Sequence, residues 1–115
     1  GTAAAASAAV VAVELVRKAG CDAVGAVNGA LALAAVSERS FDLVLMDCHM
    51  PEMDGFEATR KLRERGDRTP VVALTAASLP EERARCLASG MVDVVLKPVR
   101  KPELQRALAL YAAPA

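Results

Sequence analysis

Tryptophan is absent from this chain of 115 residues, and the other aromatic side chains are one tyrosine and two phenylalanines. A flat cofactor such as flavin would find few rings to stack on. The one histidine, His49, has no second imidazole with which to share a metal ion. Cysteine is sparse and odd in number, and Cys21, Cys48 and Cys86 are scattered through apolar segments. That pattern excludes a disulfide framework and predicts buried, reduced thiols. Neither charge sign is in excess: lysine plus arginine and aspartate plus glutamate both total 14. The balance gives no broad electrostatic reason for a nucleic acid or an anionic membrane as partner. No apolar run is long enough to span a bilayer, and no basic-then-apolar secretory signal opens the chain. The expectation is a cytoplasmic domain. The last scarcity is local: no carboxylate occurs before Glu14.

What is present is apolar material, 54% of the residues, enough to give one domain over 1–115 a core of its own. The chain is organised around Leu43-Val44-Leu45-Met46-Asp47, an apolar run of strand length that ends on a carboxylate. Turn formers follow, in the segment Met50-Pro51-Glu52-Met53-Asp54-Gly55. Two later runs repeat this layout. Val71-Val72-Ala73-Leu74 ends on Thr75, and Val94-Val95-Leu96 ends on Lys97 before Pro98. If the three strands are parallel in one sheet, an acid, a hydroxyl and an amine converge on the crevice outside its carboxyl edge, where open α/β sheets bind ligands.

Helical spacing fills the intervals. Residues 10–18 place Val11 and Leu15 on one stripe and pair Glu14 with Lys18, with Gly20 as a stop. Cys21 to Val27 reads as a short strand, and Asn28-Gly29 turns the chain into an Ala/Leu-rich helix through about Val36. Another helix runs from Gly55 to about Arg65, with Asp54 and Glu57 spaced as N-cap and capping partner. Phe56 and Leu62 are its inward residues, while Arg60, Lys61, Arg63 and Arg65 read as a solvated basic face. Ser78-Leu79-Pro80-Glu81 opens a helix that Gly90 ends. A last helix from about Pro102 carries Leu104, Ala107, Leu108 and Tyr111 as its apolar stripe.

Asp47 with its Met-Pro-Glu-Met-Asp-Gly loop, then Leu74-Thr75-Ala76, then Lys97-Pro98, in that order, resembles the receiver domain of two-component response regulators and hybrid histidine kinases. The resemblance runs from about Val11 to the end of the chain. It implies an α/β, flavodoxin-like, doubly wound parallel sheet of strand order 2-1-3-4-5. It implies that Asp47 accepts a phosphoryl group from a phosphohistidine, that Thr75 is the switch hydroxyl and that Lys97 contacts the phosphoryl group. It also implies a cis Lys97–Pro98 bond, and a magnesium ion held by Asp47, the backbone carbonyl of His49 and an acidic pair at the end of the first strand. The partner it implies is a histidine kinase or a histidine phosphotransfer domain. Such a domain is a phosphoryl acceptor rather than an enzyme, with no contact to nucleic acid and no insertion into a membrane.

The start of the chain departs from this pattern. Residues 1–9 are Ala-rich and do not read as a strand. Counting back from Val11-Ala12-Val13 places the acidic pair near Ala3 and Ala4, so the first strand is expected to be absent or atypical and magnesium affinity weak. A lost central strand would leave unpaired backbone groups on its neighbours. The Ala-rich segment, or a strand from a second copy in a homodimer or strand exchange, is therefore expected to fill the slot. A second departure lies at Val94, where family members often carry an aromatic that moves with the threonine. Output is then expected to be read by packing over Cys86 to Val95.

Three other readings compete. A degenerate or truncated pseudo-receiver would keep the fold and signal by partner contact without phosphate, and it differs only at the acidic pair. A haloacid dehalogenase-type enzyme also phosphorylates an aspartate after a strand, but it needs a second acid where His49 stands. A flavodoxin would want a hydroxyl-rich phosphate loop after its first strand.

Overall fold

The computed structural model describes residues 4–7, 22–25, 29–38, 41–49, 53–76 and 79–111, with side-chain environments from residue 30 onward. Five parallel strands form one sheet: β1 (Ala4–Ser7), β2 (Asp22–Gly25), β3 (Leu43–Asp47), β4 (Val71–Thr75) and β5 (Asp93–Leu96). Their spatial order is β2-β1-β3-β4-β5. Four described helices connect them, α1 (Gly29–Glu38), α2 (Gly55–Glu64), α3 (Pro80–Ser89) and α4 (Lys101–Tyr111). The helix expected over residues 10–18, with its Gly20 stop, lies outside the described residues. None of the described helices is long and apolar enough to cross a membrane.

β3 and β4 are strands because they are apolar on both faces, as a covered parallel sheet requires. Leu43 to Met46 and all of β4 are buried. Val44, Met46, Val71 and Ala73 pack with Phe56, Ala58 and Leu62 of α2, Cys86 of α3, and Ala32, Leu33 and Val36 of α1. Leu43, Leu45, Val72 and Leu74 alternate with them toward the other face and are equally buried, as are Leu104, Ala107 and Leu108 of α4.

Of the two expectations for the first strand, absent or atypical, the structure shows the second. Ala4–Ser7 is a strand, pairing with β2 from Ala4↔Asp22 to Ser7↔Gly25 and with β3 from Ala5↔Leu43 to Ser7↔Leu45. Alanine is a poor strand former in isolation. The slot overrides that preference, because both neighbours present rows of backbone groups that must be paired. The chain's own Ala-rich segment fills the slot, so no strand from a second copy is needed. It also shifts the strand's carboxyl end to Ser7, beyond the Ala3 and Ala4 reached by counting.

A second correction concerns Arg63, expected on a solvated face. Its Nε and Nη2 donate to the Gly90 carbonyl at 3.2 and 2.9 Å, and its Nη1 donates to the carbonyls of Asp67 and Thr69 at 3.0 and 2.9 Å. Gly90, with φ of 106°, ends α3 in the left-handed conformation that glycine tolerates. A Cβ there would also lie 2.8 Å from the Arg63 side chain. Arg63 thus fastens the end of α2 to the end of α3.

Candidate functional site

Parallel registration brings the three strand ends together. Asp47 pairs with Leu74 and Thr75 with Leu96, and the ladder continues through Cys48 N–H to the Leu74 carbonyl at 3.1 Å and Lys97 N–H to the Thr75 carbonyl at 2.8 Å. Asp47, Thr75 and Lys97 therefore stand side by side at the carboxyl edge. The Lys97 ammonium donates to Asp47 Oδ2. The Lys97–Pro98 peptide bond is cis. Asp47 Oδ1 accepts the backbone N–H of His49 at 3.0 Å. The Asp47 side chain keeps 16% of its exposure and that of Lys97 37%, so the carboxylate can be reached from solvent.

The loop after β3 is held close. Asp54 caps α2 by accepting the Glu57 N–H at 2.9 Å, the pairing expected from their spacing. Gly55 donates its N–H to the Cys48 carbonyl at 3.2 Å. A Cβ on Gly55 would sit 2.3 Å from the Asp47 carbonyl oxygen, so only glycine permits α2 to start this near the strand end. Phe56, next in sequence, is fully buried beneath the site.

Two residues of α3, Glu82 and Arg85, complete the surroundings, and the sequence marked neither as part of the site. Glu82 Oε1 accepts the Thr75 hydroxyl at 3.1 Å and stands 3.0 Å from His49 Nε2. The Arg85 guanidinium lies 4.0 Å from the centre of the Phe56 ring, and His49 meets the same ring edge-on at 6.2 Å. His49 thus flanks the edge beside Asp47 with a carboxylate partner. The available signal for Glu82 was its place in the first turn of the helix that follows Thr75.

Beneath the edge, Cys48 and Cys86 are buried free thiols with their sulfurs 3.7 Å apart. Burial first, then each thiol's neighbours, pushes Cys48 well above the ordinary thiol value, and burial raises Cys86 as well. Both are packing thiols with little thiolate character. Cys21 lies outside the described residues.

The donor set does not suit magnesium. Magnesium is bound through carboxylates in octahedral geometry and dehydrates reluctantly. Among the described residues the edge offers Asp47, already engaged at both oxygens, the carbonyl of His49, and the Glu82 carboxylate, which is held by Thr75 and His49. The first carboxylate of the chain is Glu14, after the strand whose end should carry the acidic pair. Among the described residues no group of three His, Cys, Asp or Glu could hold a metal ion.

Comparison with known proteins gives this site a context. The response regulator receiver domain profile matches residues 6–109. The chain is 45% identical over 85 residues to the sensor histidine kinase RcsC of Salmonella typhi, covering 74% of this chain and 9% of that protein. It is 32% identical over 106 residues to hybrid signal transduction histidine kinase L of Dictyostelium discoideum, covering 85% of this chain and 6% of that protein. The chain therefore spans under a tenth of the length of these relatives. Among solved structures, chemotaxis protein CheY4 of Vibrio cholerae superposes with a TM-score of 0.89 at 25% identity, covering 96% of this chain and 99% of that one. The receiver domain of sensor histidine kinase PA1611 from Pseudomonas aeruginosa, solved with magnesium coordinated in its active site cleft, does so with a TM-score of 0.87 at 32% identity, covering 97% of this chain and 98% of that one.

Proposed function

The chain belongs to the response regulator receiver domain family of two-component signalling, and on that premise we propose that Asp47 is its phosphoacceptor, with Lys97 and Thr75 contacting the group it receives. The observation that carries this reading is the Lys97 ammonium on Asp47 Oδ2, with Thr75 ending the strand between them. A carboxylate attacks phosphorus only when repulsion between the two anions is neutralised, and phosphoryl transfer depends on positioning and electrostatic stabilisation. Lys97 supplies a fixed positive charge at the carboxylate oxygen. An Asp47 oxygen forms the new O–P bond while the P–N bond of the donor phosphohistidine breaks, its electron pair remaining on the imidazole nitrogen. The product adds negative charge and acceptor oxygens at the edge, to which the Lys97 ammonium and the Thr75 hydroxyl can donate. The donor is a histidine kinase or a histidine phosphotransfer domain, the chemistry proper to a receiver of a hybrid kinase.

A second reading has its own observation. With Asp47 the one carboxylate among the family's expected magnesium ligands, magnesium affinity is weak, and the chain acts as a pseudo-receiver that signals by contact. Intact mass after incubation with acetyl phosphate and magnesium, beside Asp47→Ala, separates the two. An adduct lost in Asp47→Ala is the expected result for the phosphoacceptor. No adduct on the parent chain would leave the pseudo-receiver.

A further inference from the structure

Helix α3 begins with Pro80-Glu81-Glu82, a proline at its first position and two acids where the helix dipole favours them. The two acids differ in their surroundings. Glu81 is exposed, whereas the Glu82 side chain keeps only 16% of its exposure and is turned to the sheet edge. One oxygen, Oε1, accepts the Thr75 hydroxyl and faces His49 Nε2. The N-cap residue, Leu79, offers no side-chain cap to this helix. Glu82 is thus a polar tie between the start of α3 and the ends of β3 and β4, and the Arg85 guanidinium over Phe56 supports the next turn.

A hydroxyl has one proton to donate. While Thr75 gives that proton to Glu82, it cannot give it to an oxygen bound at Asp47. Resting on the phosphoacceptor reading, we propose that Glu82 is a positioning residue: a latch that holds Thr75 toward α3 in the resting protein and is released when the hydroxyl turns to a phosphoryl group on Asp47. Phosphorylation then frees the first turn of α3 from β4, leaving Glu82 its contact with His49. With Val94 in place of a mobile ring on β5, this tie is the route from Asp47 to the surface of α3.

Four proteins test the latch: the parent chain, Glu82→Ala, Thr75→Val and the double variant. Alanine is a strong helix former, and valine fits a buried strand end, so all four should fold. Hydrogen exchange at the first-turn amides of α3 is measured without phosphorylation. Each single variant is expected to raise exchange by about five-fold or more, and the double variant no further than Glu82→Ala, because Glu82→Ala already removes the bond that Thr75→Val removes. Glu82→Gln keeps an acceptor and should fall between parent and Glu82→Ala. Unchanged exchange in Glu82→Ala, or effects that multiply in the double variant, would overturn the proposal. Acetyl phosphate labelling of the same set adds the second readout. Glu82→Ala should label about five-fold faster than the parent, and the gain should vanish in the Thr75→Val background. If no protein is labelled, the phosphoacceptor reading fails while the exchange data still decide whether the latch exists.

Discussion

Two cations, Lys97 and Arg63, reach across the molecule to join separate elements, and they do so with opposite chemistry. Lys97 meets a side-chain carboxylate at the open carboxyl edge, beside a threonine and a glutamate that are themselves bonded through side chains. Among the described residues, Arg63 hydrogen-bonds to backbone carbonyls alone, those of Asp67, Thr69 and Gly90, in a partly buried corner between α2 and α3. Side chains can exchange partners by rotating. Backbone carbonyls cannot do so without unmaking the turns that carry them. The Lys97 cluster is therefore suited to accept a new anion and the Arg63 cluster to stay fixed while it does. Burial pulls Arg63 below the ordinary guanidinium value, and the charge of Asp67 opposes that pull.

The largest effect should come from Arg63→Ala. It leaves three carbonyls without their donor, and charged hydrogen bonds of this kind carry about 3 kcal/mol in sum. Thermal unfolding should show the midpoint falling by roughly 10 °C. Lys97→Ala is the converse. An exposed ion pair adds little to stability, so the midpoint should move by less than about 3 °C. Labelling from acetyl phosphate should fall by about 100-fold, the usual consequence of removing one preorganised charge from a developing anion. The contrast breaks if Arg63→Ala melts like the parent chain, or if Lys97→Ala labels at the parent rate.

The same contrast explains what the sequence made legible. Apolar runs ending on Asp47, Thr75 and Lys97 announced β3, β4, β5 and the convergence of their ends, because strand length and strand termination are local properties. The Asp54–Glu57 cap was visible for the same reason, as a fixed spacing inside one turn. β1 was legible only as a slot for the Ala-rich segment or a second copy to fill, because Ala4–Ser7 has no strand preference and owes its conformation to the pairing demands of β2 and β3. Arg63 was read as solvated because it sits in a run of basic residues. Its acceptor at Gly90 lies 27 positions away and is a backbone group that leaves no mark in composition. Glu82 was hidden by an adequate local explanation, an acid in the first turn of a helix, which concealed its bond to Thr75. The contact between Cys48 and Cys86 is likewise a property of the packed helix and strand together.

The smallest effect sharpens the comparison at the fixed corner. The Thr69 hydroxyl donates to Asp67 Oδ1 at 2.6 Å and the Thr69 N–H to the same oxygen at 2.8 Å, bending the chain between α2 and β4. These bonds hold the Asp67 carboxyl below the ordinary carboxylate value, the Thr69 hydroxyl being the larger cause. A carboxyl depressed in the folded protein adds stability that is present above the unfolded value, near 3.8, and is lost as the pH falls through the folded value. Asp67→Asn should therefore cost most near neutral pH and progressively less below about pH 4, where the parent loses the same contribution. Denaturant midpoints of parent and variant, followed from pH 7 down to pH 3, should converge. A gap that stays constant over that range would mean that the Asp67 charge does not strengthen the turn, and that the corner beside Arg63 is held by backbone geometry alone.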